Sequence, residues 1–353
     1  MPTDKKSLQK IKQLDEVLKG ASRLLIVMQN YPDPDALASA SALRLYVKQR
    51  LGLDATLTSS GMVGRAENRA LMHYLRQPMR FLEEINIADY DRVAMVDTQP
   101  RTGNNAFPPD VEVHAVIDHH PIRKATRSVK FTDVRSHYGS CSTILYEYLR
   151  EGKVDIDAPI ATGLLYGIKS DTQDLGREAS QADIQAFLQL YQISNPRLLS
   201  QIQYSKTPRT YFRMLSNALR NALVYGDAII ANVGKIDTPD IIGEMADLLL
   251  RDEESNCTLC YGFYEKRVLL SLRIENPDLD AGKVMRGIVS KMGTGGGHKT
   301  LAGGQIPLED RSRAKREEIE AKILESYLKE TKQSKEKPVR LVALQPKSEN
   351  AKK

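Results

Sequence analysis

The chain has 353 residues, enough for two domains with separate hydrophobic cores. Charged residues make up 27% of it and hydrophobic residues 41%, a balance that excludes a wholly disordered chain. Residues 331–353 hold seven Lys or Arg and two Glu, and so carry five of the six net positive charges. The rest of the chain is close to neutral, which does not predict a nucleic-acid-binding groove.

The two ends of the chain and the lack of long apolar runs predict the location of the protein in the cell. Residues 331–353 are rich in Lys and lack hydrophobic periodicity, which predicts a disordered basic tail with weak attraction to polyanions. No apolar run approaches the length of a membrane span. The N-terminus leads into an amphipathic helix and not into a secretory signal. We therefore expect a cytoplasmic protein without a membrane partner.

The three cysteines predict structural roles. Cys141, Cys257 and Cys260 are too few for a disulfide framework. Cys257 and Cys260 form one CxxC motif, but no second pair completes a zinc site. The motif also begins a strand-like apolar run, so we expect both thiols to be buried in a sheet.

Residues 1–185 alternate strand and helix patterns. In chain order they predict a helix over 7–19, a strand over 23–29, a helix over 36–50, a strand over 54–58, a helix over 66–75, strands over 92–96, 111–117 and 128–132, and helices over 142–152 and 158–169. Such alternation predicts an α/β domain with a mostly parallel sheet and both faces covered.

The second half of the chain predicts a smaller α+β domain. Residues 186–213 have the pattern of a helical linker, interrupted at two X-Pro steps. Residues 214–330 then mix strand and helix patterns and complete the second domain. The predicted strands cover 228–233, 258–264 and 268–274, and the predicted helices cover 240–250 and 283–292.

Acids and histidines follow three strands of the first domain. They are Asp33 and Asp35, Asp97, and the Asp118-His119-His120 run. The carboxyl ends of parallel strands share one sheet edge, so we expect these side chains to converge. Converging buried acids need a cation, and carboxylates mixed with imidazole suit Mn²⁺ or a similar metal. Helix capping by the first two aspartates is the alternative interpretation.

Five motifs in a fixed order carry a specific resemblance. They are Pro32-Asp33-Pro34-Asp35-Ala36, Val96-Asp97-Thr98, Asp118-His119-His120, Ser170-Asp171-Thr172 and Gly295-Gly296-Gly297-His298. This order resembles the DHH (Asp-His-His) phosphoesterase superfamily. More narrowly, the chain is similar to the nanoRNase and pAp-phosphatase branch with its DHH-associated C-terminal domain. The resemblance extends from about residue 20 to about residue 328.

The resemblance implies a two-Mn²⁺ hydrolase, with Mg²⁺ or Co²⁺ as alternatives, whose active site lies between the domains. Asp33 would bind one metal, and Asp35 and His119 the other. Asp97 and Asp171 would contact both. Water activated by the metals would attack phosphorus. His120 would contact the scissile phosphate or assist the leaving group, so Asp97 and His120 are the predicted catalytic residues. A homodimer is also expected from the family.

The second domain is expected to bind the substrate. Glycines allow backbone N–H groups to approach an anion closely, so Gly296, Gly297 and His298 are predicted to bind phosphate or base. Arg273 resembles the family's phosphate-holding arginine, and Arg177 is a weaker candidate of the same kind. A tight turn and solvated arginines are the alternative interpretations.

One residue departs from the family pattern. The usual first motif has a histidine three residues before its proline, and Gln29 stands there in this chain. The leading hypothesis is a phosphoesterase that hydrolyses short oligonucleotides, pAp or linear dinucleotides. The alternative is a nucleotide-binding regulatory protein with weak or no catalysis, because glutamine is a poorer metal ligand. An inorganic pyrophosphatase and a processive exonuclease resembling RecJ are weaker alternatives.

Overall fold

The computed structural model of the protein describes residues 5–61, 63–297 and 299–342. These residues form two compact units, which meet in sequence between Lys206 and Thr207. The first unit is an α/β domain, and the second is a smaller domain with a mixed sheet. Both agree with the predicted fold class.

The first unit is built on a six-stranded sheet in which every pair of neighbouring strands is parallel. Its strands in chain order are β1 (Arg23–Val27), β2 (Asp54–Ser59), β3 (Met79–Phe81), β4 (Arg92–Val96), β5 (Ala115–Asp118) and β6 (Phe131–Val134). Their spatial order is β3-β2-β1-β4-β5-β6. The order reverses between β1 and β4, which is where open α/β sheets bind ligands.

Seven α-helices of the first unit pack together with one face of this sheet. They are α1 (Lys5–Leu18), α2 (Pro34–Leu51), α3 (Ala66–Leu75), α4 (Cys141–Glu151), α5 (Ala158–Asp171), α6 (Gln181–Ile193) and α7 (Pro196–Gln203). Because side chains alternate along a strand, Leu24 and Ile26 of β1 join the helical core, whereas Leu25 and Val27 face the opposite side. Segments between strands, including Leu82 and Phe107, cover that side.

The sequence around Asp33 explains how the turn after β1 becomes helix α2. Asp33 is in an extended conformation and caps the helix, because its Oδ1 accepts a hydrogen bond from the Ala36 N–H at 2.9 Å. Pro34 occupies the first helical turn, where no backbone donor is needed. The helix ends at Gly52, whose φ of 67° is readily adopted by glycine.

The second unit contains a seven-stranded mixed sheet in the order β11-β12-β10-β9-β8-β7-β13. Its strands are β7 (Leu223–Tyr225), β8 (Ala228–Lys235), β9 (Cys257–Tyr264), β10 (Arg267–Ile274), β11 (Thr294–Gly297), β12 (Leu301–Pro307) and β13 (Val339–Arg340). Strands β8 and β9 are parallel, and the other neighbours are antiparallel. Its helices are α8 (Arg209–Asn221), α9 (Ile241–Leu249), α10 (Ala281–Ile288) and α11 (Arg313–Glu330).

The cysteines of the CxxC motif point into different cores of this sheet. Cys257 packs with the α10 and α11 side, and Cys260 packs with the α8 and α9 side. Burial raises the pKa of both thiols, that of Cys257 to about 12. All three cysteines are buried and unpaired, which agrees with the prediction of structural thiols.

The structure differs from the sequence predictions at several points. The tail was expected to be disordered from residue 331, but Val339–Arg340 pairs with β7, and Leu341 N–H bonds to the Ala222 carbonyl. Residues 343–353 lie outside the described residues. Strand β5 begins at Ala115 and not at residue 111, because the Val111 N–H bonds to the Pro108 carbonyl at 3.3 Å and so still belongs to the preceding turn. The predicted linker contains α7 and most of α6, and α6 packs on α5.

Candidate metal centre

The predicted ligands of the first unit lie on both sides of the point where the strand order reverses. Asp33 and Asp35 follow β1, Asp97 follows β4, and His119 follows β5. Asp171 ends helix α5, whose register brings it to the same place. Two groups of possible ligand atoms result, each with its atoms within 4.8 Å of one another. They are Asp35, His119 and Asp171, and Asp97, Asp118, His119 and His120.

Asp35 is fixed by the start of helix α4. Its Oδ2 accepts a hydrogen bond from the Cys141 N–H and its Oδ1 accepts one from the Ser142 N–H, both at 2.7 Å. These unpaired donors and the positive end of the helix dipole stabilise the buried carboxylate. Asp35 is fully buried, and its Oδ2 lies 4.0 Å from His119 Nε2.

His119 presents one ring nitrogen to the carboxylates. Its Nδ1 lies 3.3 Å from the Tyr138 carbonyl, which can only accept, so the Nδ1 carries the proton. Its Nε2 lies 3.3 Å from Asp171 Oδ2 and 3.4 Å from Asp97 Oδ1. An imidazole held at one nitrogen by a carbonyl is the usual arrangement of a histidine that binds metal through the other.

Asp97 has an unusual backbone conformation. It follows the apolar strand β4 with a φ of 56°, in the left-handed region that few residues other than glycine adopt. Its side chain is 1% exposed. Such conformations concentrate at functional sites, where surrounding structure enforces them. Here the conformation belongs to a carboxylate 3.4 Å from His119.

Two buried atoms at the centre of this cluster make no hydrogen bond. They are Asp97 Oδ1 and His119 Nε2. Buried polar atoms without partners are rare because they have lost their contacts with water. A carboxylate oxygen and an imidazole nitrogen are both common ligands of Mn²⁺, so the donor set fits a divalent cation. Asp35 and Asp171 complete the surroundings of such an ion.

Asp118 positions His120, a role that was not predicted for it, although the Asp118-His119-His120 run was expected to converge with the other acids. Its Oδ1 accepts hydrogen bonds from the N–H groups of His119 and His120, at 2.8 and 3.1 Å, and lies 2.9 Å from His120 Nδ1. Its Oδ2 accepts from Gln99 Nε2 at 2.6 Å. Asp118 is the first letter of the Asp-His-His motif, so the motif itself could have suggested this role.

The pKa values of Asp97, Asp171 and His119 are raised. Burial, and then the charge of Asp33, raises the pKa of Asp97 well above its usual range. Burial and the charge of Asp35 raise the pKa of Asp171 to about 7. Burial alone would lower the pKa of His119, but the attraction of Asp171 and Asp97 outweighs it and raises the pKa. The cluster without a cation therefore retains protons at neutral pH.

The pKa of His120 is also raised, mainly by its hydrogen bond with Asp118. Burial lowers it, whereas the hydrogen bond with Asp118 and the charge of Asp97 raise it, with a net value of about 9. His120 is 33% exposed on its side chain and so can meet a ligand. In the metal-free protein it is a cationic donor at neutral pH.

The two glycines predicted to bind the substrate do not lie in a loop. Gly296 and Gly297 lie in β11, an edge strand that pairs with β12, and neither has a positive φ. At these two positions the chain is therefore a paired strand and not the tight turn that was the alternative interpretation. Arg273 is paired with Asp247, from its Nε to Oδ1 at 2.5 Å. His298 lies outside the described residues, and Arg177 donates to the Asp171 carbonyl at 3.2 Å.

Comparisons with known proteins identify the family. A model of the DHH family N-terminal domain matches residues 23–168, and a model of the DHHA1 domain matches residues 226–325. An uncharacterised protein of Methanocaldococcus jannaschii is 31% identical over 331 residues, covering 91% of this chain and 67% of that protein. The chain belongs to the DHH phosphoesterase family. It carries a DHHA1 domain as its C-terminal part.

Other relatives of this DHH protein support the fold. A probable manganese-dependent inorganic pyrophosphatase of Streptococcus agalactiae is 23% identical over 68% of this chain and 80% of its own. An exopolyphosphatase-related protein from Bacteroides fragilis aligns at a TM-score of 0.72 with 15% identity, over 90% of this chain and 96% of its own. RecJ of Thermus thermophilus, solved with Mn²⁺, aligns at a TM-score of 0.51 with 14% identity. The alignment covers 93% of this chain and 56% of RecJ. No α-helix in the described part of the DHH protein is long and apolar enough to cross a membrane.

We predict that Mn²⁺ affinity of this DHH protein rises with pH. A cation must displace protons from Asp171, whose pKa is about 7, and from His119, whose pKa is raised. Affinity measured by calorimetry should therefore increase from about pH 6 to about pH 8, with proton release detected in buffers of different ionisation enthalpy. Affinity that stays constant over this range would contradict the assignment.

The same shifts predict how the metal-free protein responds to pH. Asp171 and His120 have folded pKa values above their unfolded ones, so the native state binds more protons. The stability that they contribute is complete below the unfolded pKa values and is lost as pH rises through about 7 and about 9. The Tm of the metal-free protein should thus fall between about pH 6 and about pH 8, and Mn²⁺ should oppose the fall.

We predict that Gly167→Ala weakens Mn²⁺ binding. A Cβ at Gly167 of α5 would overlap Ser142 Oγ and lie 3.1 Å from Asp35 Oδ1. Overpacking typically costs 1–3 kcal/mol, so we expect affinity to fall by about tenfold. Gly163→Ala is the matched control on the same helix, because its Cβ would meet the tip of Leu75 at 2.8 Å and Leu71 at 3.6 Å, and no residue of the metal centre is among these contacts. Equal Mn²⁺ affinity in both variants would contradict the prediction.

Proposed function

We propose that this DHH protein is a metal-dependent phosphoesterase of the nanoRNase and pAp-phosphatase type. Its substrates would be short oligonucleotides, pAp or linear dinucleotides such as pGpG. One observation carries the proposal. Asp97 Oδ1 and His119 Nε2 are buried, face each other at 3.4 Å and make no hydrogen bond, with Asp35 and Asp171 beside them.

Each side chain of the centre has a distinct task in this proposal. Asp35, Asp97, His119 and Asp171 would hold the cation, which would supply an activated water and neutralise charge on the phosphoryl group. His119 is oriented for this by its Nδ1–H, which donates to the Tyr138 carbonyl. Asp33 is the remaining predicted ligand, and its Oδ1 caps helix α2.

His120 would bind the phosphate and assist the leaving group. Its Nδ1–H donates to Asp118 at 2.9 Å, which fixes the ring. With a pKa of about 9, the ring in the metal-free protein carries a second proton on Nε2 at neutral pH. That proton could be donated to a phosphoryl oxygen or to the departing oxygen. Asp118 would act as a positioning residue, because it reaches the substrate only through His120.

The size of the substrate is inferred from charge. Apart from residues 331–353, the chain has a net charge of about +1, which does not favour a long polyanion. A short nucleotide requires only a few phosphate contacts. Arg273, Gly296, Gly297 and His298 are proposed to supply them, and Arg273 would have to exchange Asp247 for phosphate.

Inorganic pyrophosphate is the second candidate substrate. The observation that favours it is the similarity to a probable manganese-dependent inorganic pyrophosphatase over 68% of the chain. The Gly-Gly-Gly-His segment favours the nucleotide substrates instead, because in the family it accompanies nucleotide cleavage. A regulatory protein that binds nucleotide with little turnover is the third reading, and it rests on Gln29.

A substrate panel tests the proposal. The full chain would be incubated with Mn²⁺ and, separately, pAp, pGpG, short oligoribonucleotides and pyrophosphate, with Asp97→Asn protein as the background. We expect Mn²⁺-dependent release of phosphate or mononucleotide from at least one nucleotide. Turnover of pyrophosphate alone would replace the proposal with the second candidate. Tight nucleotide binding by calorimetry without turnover would support the regulatory reading.

A further inference from the structure

Gln29 lies between two of the predicted metal ligands. Its Nε2 donates to Asp33 Oδ2 at 2.6 Å and lies 3.5 Å from Asp97 Oδ2. It thus places an N–H₂ group where two carboxylates converge. The resemblance to the family predicts a first cation between these same carboxylates.

A chain of hydrogen bonds determines which end of the Gln29 amide faces the acids. The chain starts at the Gln99 backbone carbonyl, which can only accept. Asn105 Nδ2 donates to that carbonyl at 3.0 Å and to Thr98 Oγ1 at 2.8 Å. The Thr98 hydroxyl keeps its own proton for Asn104 Oδ1, at 2.7 Å, and the Thr102 hydroxyl donates to the same oxygen.

The orientation of the Asn104 amide determines which atom of the Gln29 amide faces it. Because its Oδ1 accepts from Thr98, its Nδ2 faces Gln29 Oε1, at 3.4 Å. Turning the Gln29 amide around would set two N–H₂ groups against each other at Asn104. It would also remove the donor from Asp33. The orientation with nitrogen towards the acids therefore satisfies every neighbour.

The hydrogen bonds divide the cluster into a satisfied side and an unsatisfied side. On the Gln29 side, both oxygens of Asp33 accept hydrogen bonds, from the Ala36 N–H and from Gln29. On the other side, Asp97 Oδ1 and His119 Nε2 are buried without partners. His119 Nε2 lies 3.3 Å from Asp171 Oδ2 and 4.0 Å from Asp35 Oδ2, and Asp97 Oδ1 lies 3.6 Å from His120 Nδ1, whereas Gln29 contacts the other oxygen of Asp97.

We propose that the Gln29 carboxamide takes the place of the first cation, so that this protein holds one metal ion instead of two. The retained ion binds at Asp35, Asp97, His119 and Asp171. A neutral amide bridges Asp33 and Asp97 where the family histidine and a second ion would be. This inference rests on the proposed metal centre and refines it.

The electrostatic consequence is a less positive centre. An amide dipole replaces a double positive charge beside Asp33 and Asp97, so less charge is available to neutralise a phosphoryl group.

Metal counting tests the inference without reference to activity. The full chain would be stripped with chelator, dialysed against excess MnCl₂, freed of unbound metal and analysed by plasma mass spectrometry. We expect one Mn²⁺ per chain in the wild type and two in Gln29→His. In electron paramagnetic resonance, the wild type should show the resolved hyperfine lines of an isolated ion. Gln29→His should show the broadened signal of a coupled pair.

Two further variants keep the test decisive. Asn104→Ala frees the Gln29 oxygen to turn towards the acids, so it should admit a second, weaker ion without any new histidine. Gln192→His places a histidine on an exposed position of the same unit and should still hold one ion. Gln192→His thereby measures any metal that an added imidazole recruits by itself.

The outcomes separate this inference from the proposed function. Two ions in the wild type would overturn the single-metal inference and leave the proposed phosphoesterase intact. No specific ion in either the wild type or Gln29→His would overturn both. One ion in all four proteins would also overturn the role of Gln29, because its amide would then not be what excludes the second ion.

Discussion

Asp97→Asn should lower kcat/KM for Mn²⁺-dependent phosphate-ester hydrolysis by about 10³-fold. Asp97 is central to the cluster, with one oxygen 3.4 Å from His119 Nε2 and the other 3.5 Å from Gln29 Nε2. The substitution keeps the shape but removes the charge that attracts the cation. We expect bound Mn²⁺, measured together with activity on the best substrate of the panel, to fall as well.

The control for this variant is Asp110→Asn, which removes an exposed carboxylate from the same unit. It should retain wild-type activity and metal content. Melting curves provide a second readout. Because burial disfavours the charged form of Asp97, metal-free Asp97→Asn protein should be at least as stable as metal-free wild type at neutral pH. Full activity in Asp97→Asn, or its unfolding, would contradict the assignment.

Arg135→Met should destabilise the first unit by about 3–5 kcal/mol, the usual cost of removing one partner of a buried ion pair. Arg135 is fully buried and donates to Asp133 at 2.7 Å and to Glu147 at 2.5 Å. It also donates to Ser7 Oγ of α1 at 2.8 Å. Without the guanidinium, two buried carboxylates lose their counter-charge. We expect Tm to fall by about 10 °C in thermal melts.

Matched variants distinguish the ion pair from simple packing. Lys48→Met removes a lysine of α2 that pairs with Asp54 at the surface, at 2.7 Å, and it should change stability by no more than about 0.5 kcal/mol. Arg135→Lys keeps the charge but not the planar fork, so its loss should be intermediate. A Tm of Arg135→Met within about 2 °C of the wild type would refute the prediction.

The Arg135 network also reaches the metal centre. Arg135 Nη1 donates to the Tyr138 hydroxyl at 3.2 Å, and the Tyr138 carbonyl holds His119 Nδ1. Weaker Mn²⁺ binding should therefore accompany the loss of stability in Arg135→Met. Neither Arg135 nor Tyr138 is in a recognisable motif, so the sequence offered no signal for this connection.

Most of the first unit was predictable because its elements have strong local patterns. The strand Arg23–Val27 is continuous apolar sequence, and helix α2 has a capping aspartate, an early proline and a terminal glycine. The edge strand Met79–Phe81 was missed because three residues carry too little periodicity to be distinguished from a loop. The strand Val339–Arg340 was missed for the same reason, within a Lys-rich tail.

The structure of the glycine-rich segment could not be predicted from its composition. Its composition indicated an anion-binding loop, but residues 294–297 form an edge strand against residues 301–307. A Cβ at Gly295 or Gly304 would crowd Met285 of α10, at 2.8 and 2.5 Å. Close packing of this helix on the strands therefore accounts for these glycines.

The sequence by itself determined the family, the fold class and the convergence of Asp35, Asp97 and His119, because residues at the carboxyl ends of parallel strands meet at one sheet edge. Asp171 was placed with them only by the resemblance to the family, because it ends a helix. The sequence also singled out Gln29 as the departure. Only the tertiary structure shows what the Gln29 side chain contacts. Its amide orientation depends on residues about 70 positions away, at Thr98 and Asn104, which no local pattern connects to it. The tertiary structure likewise revealed Asp118 as the residue that positions His120.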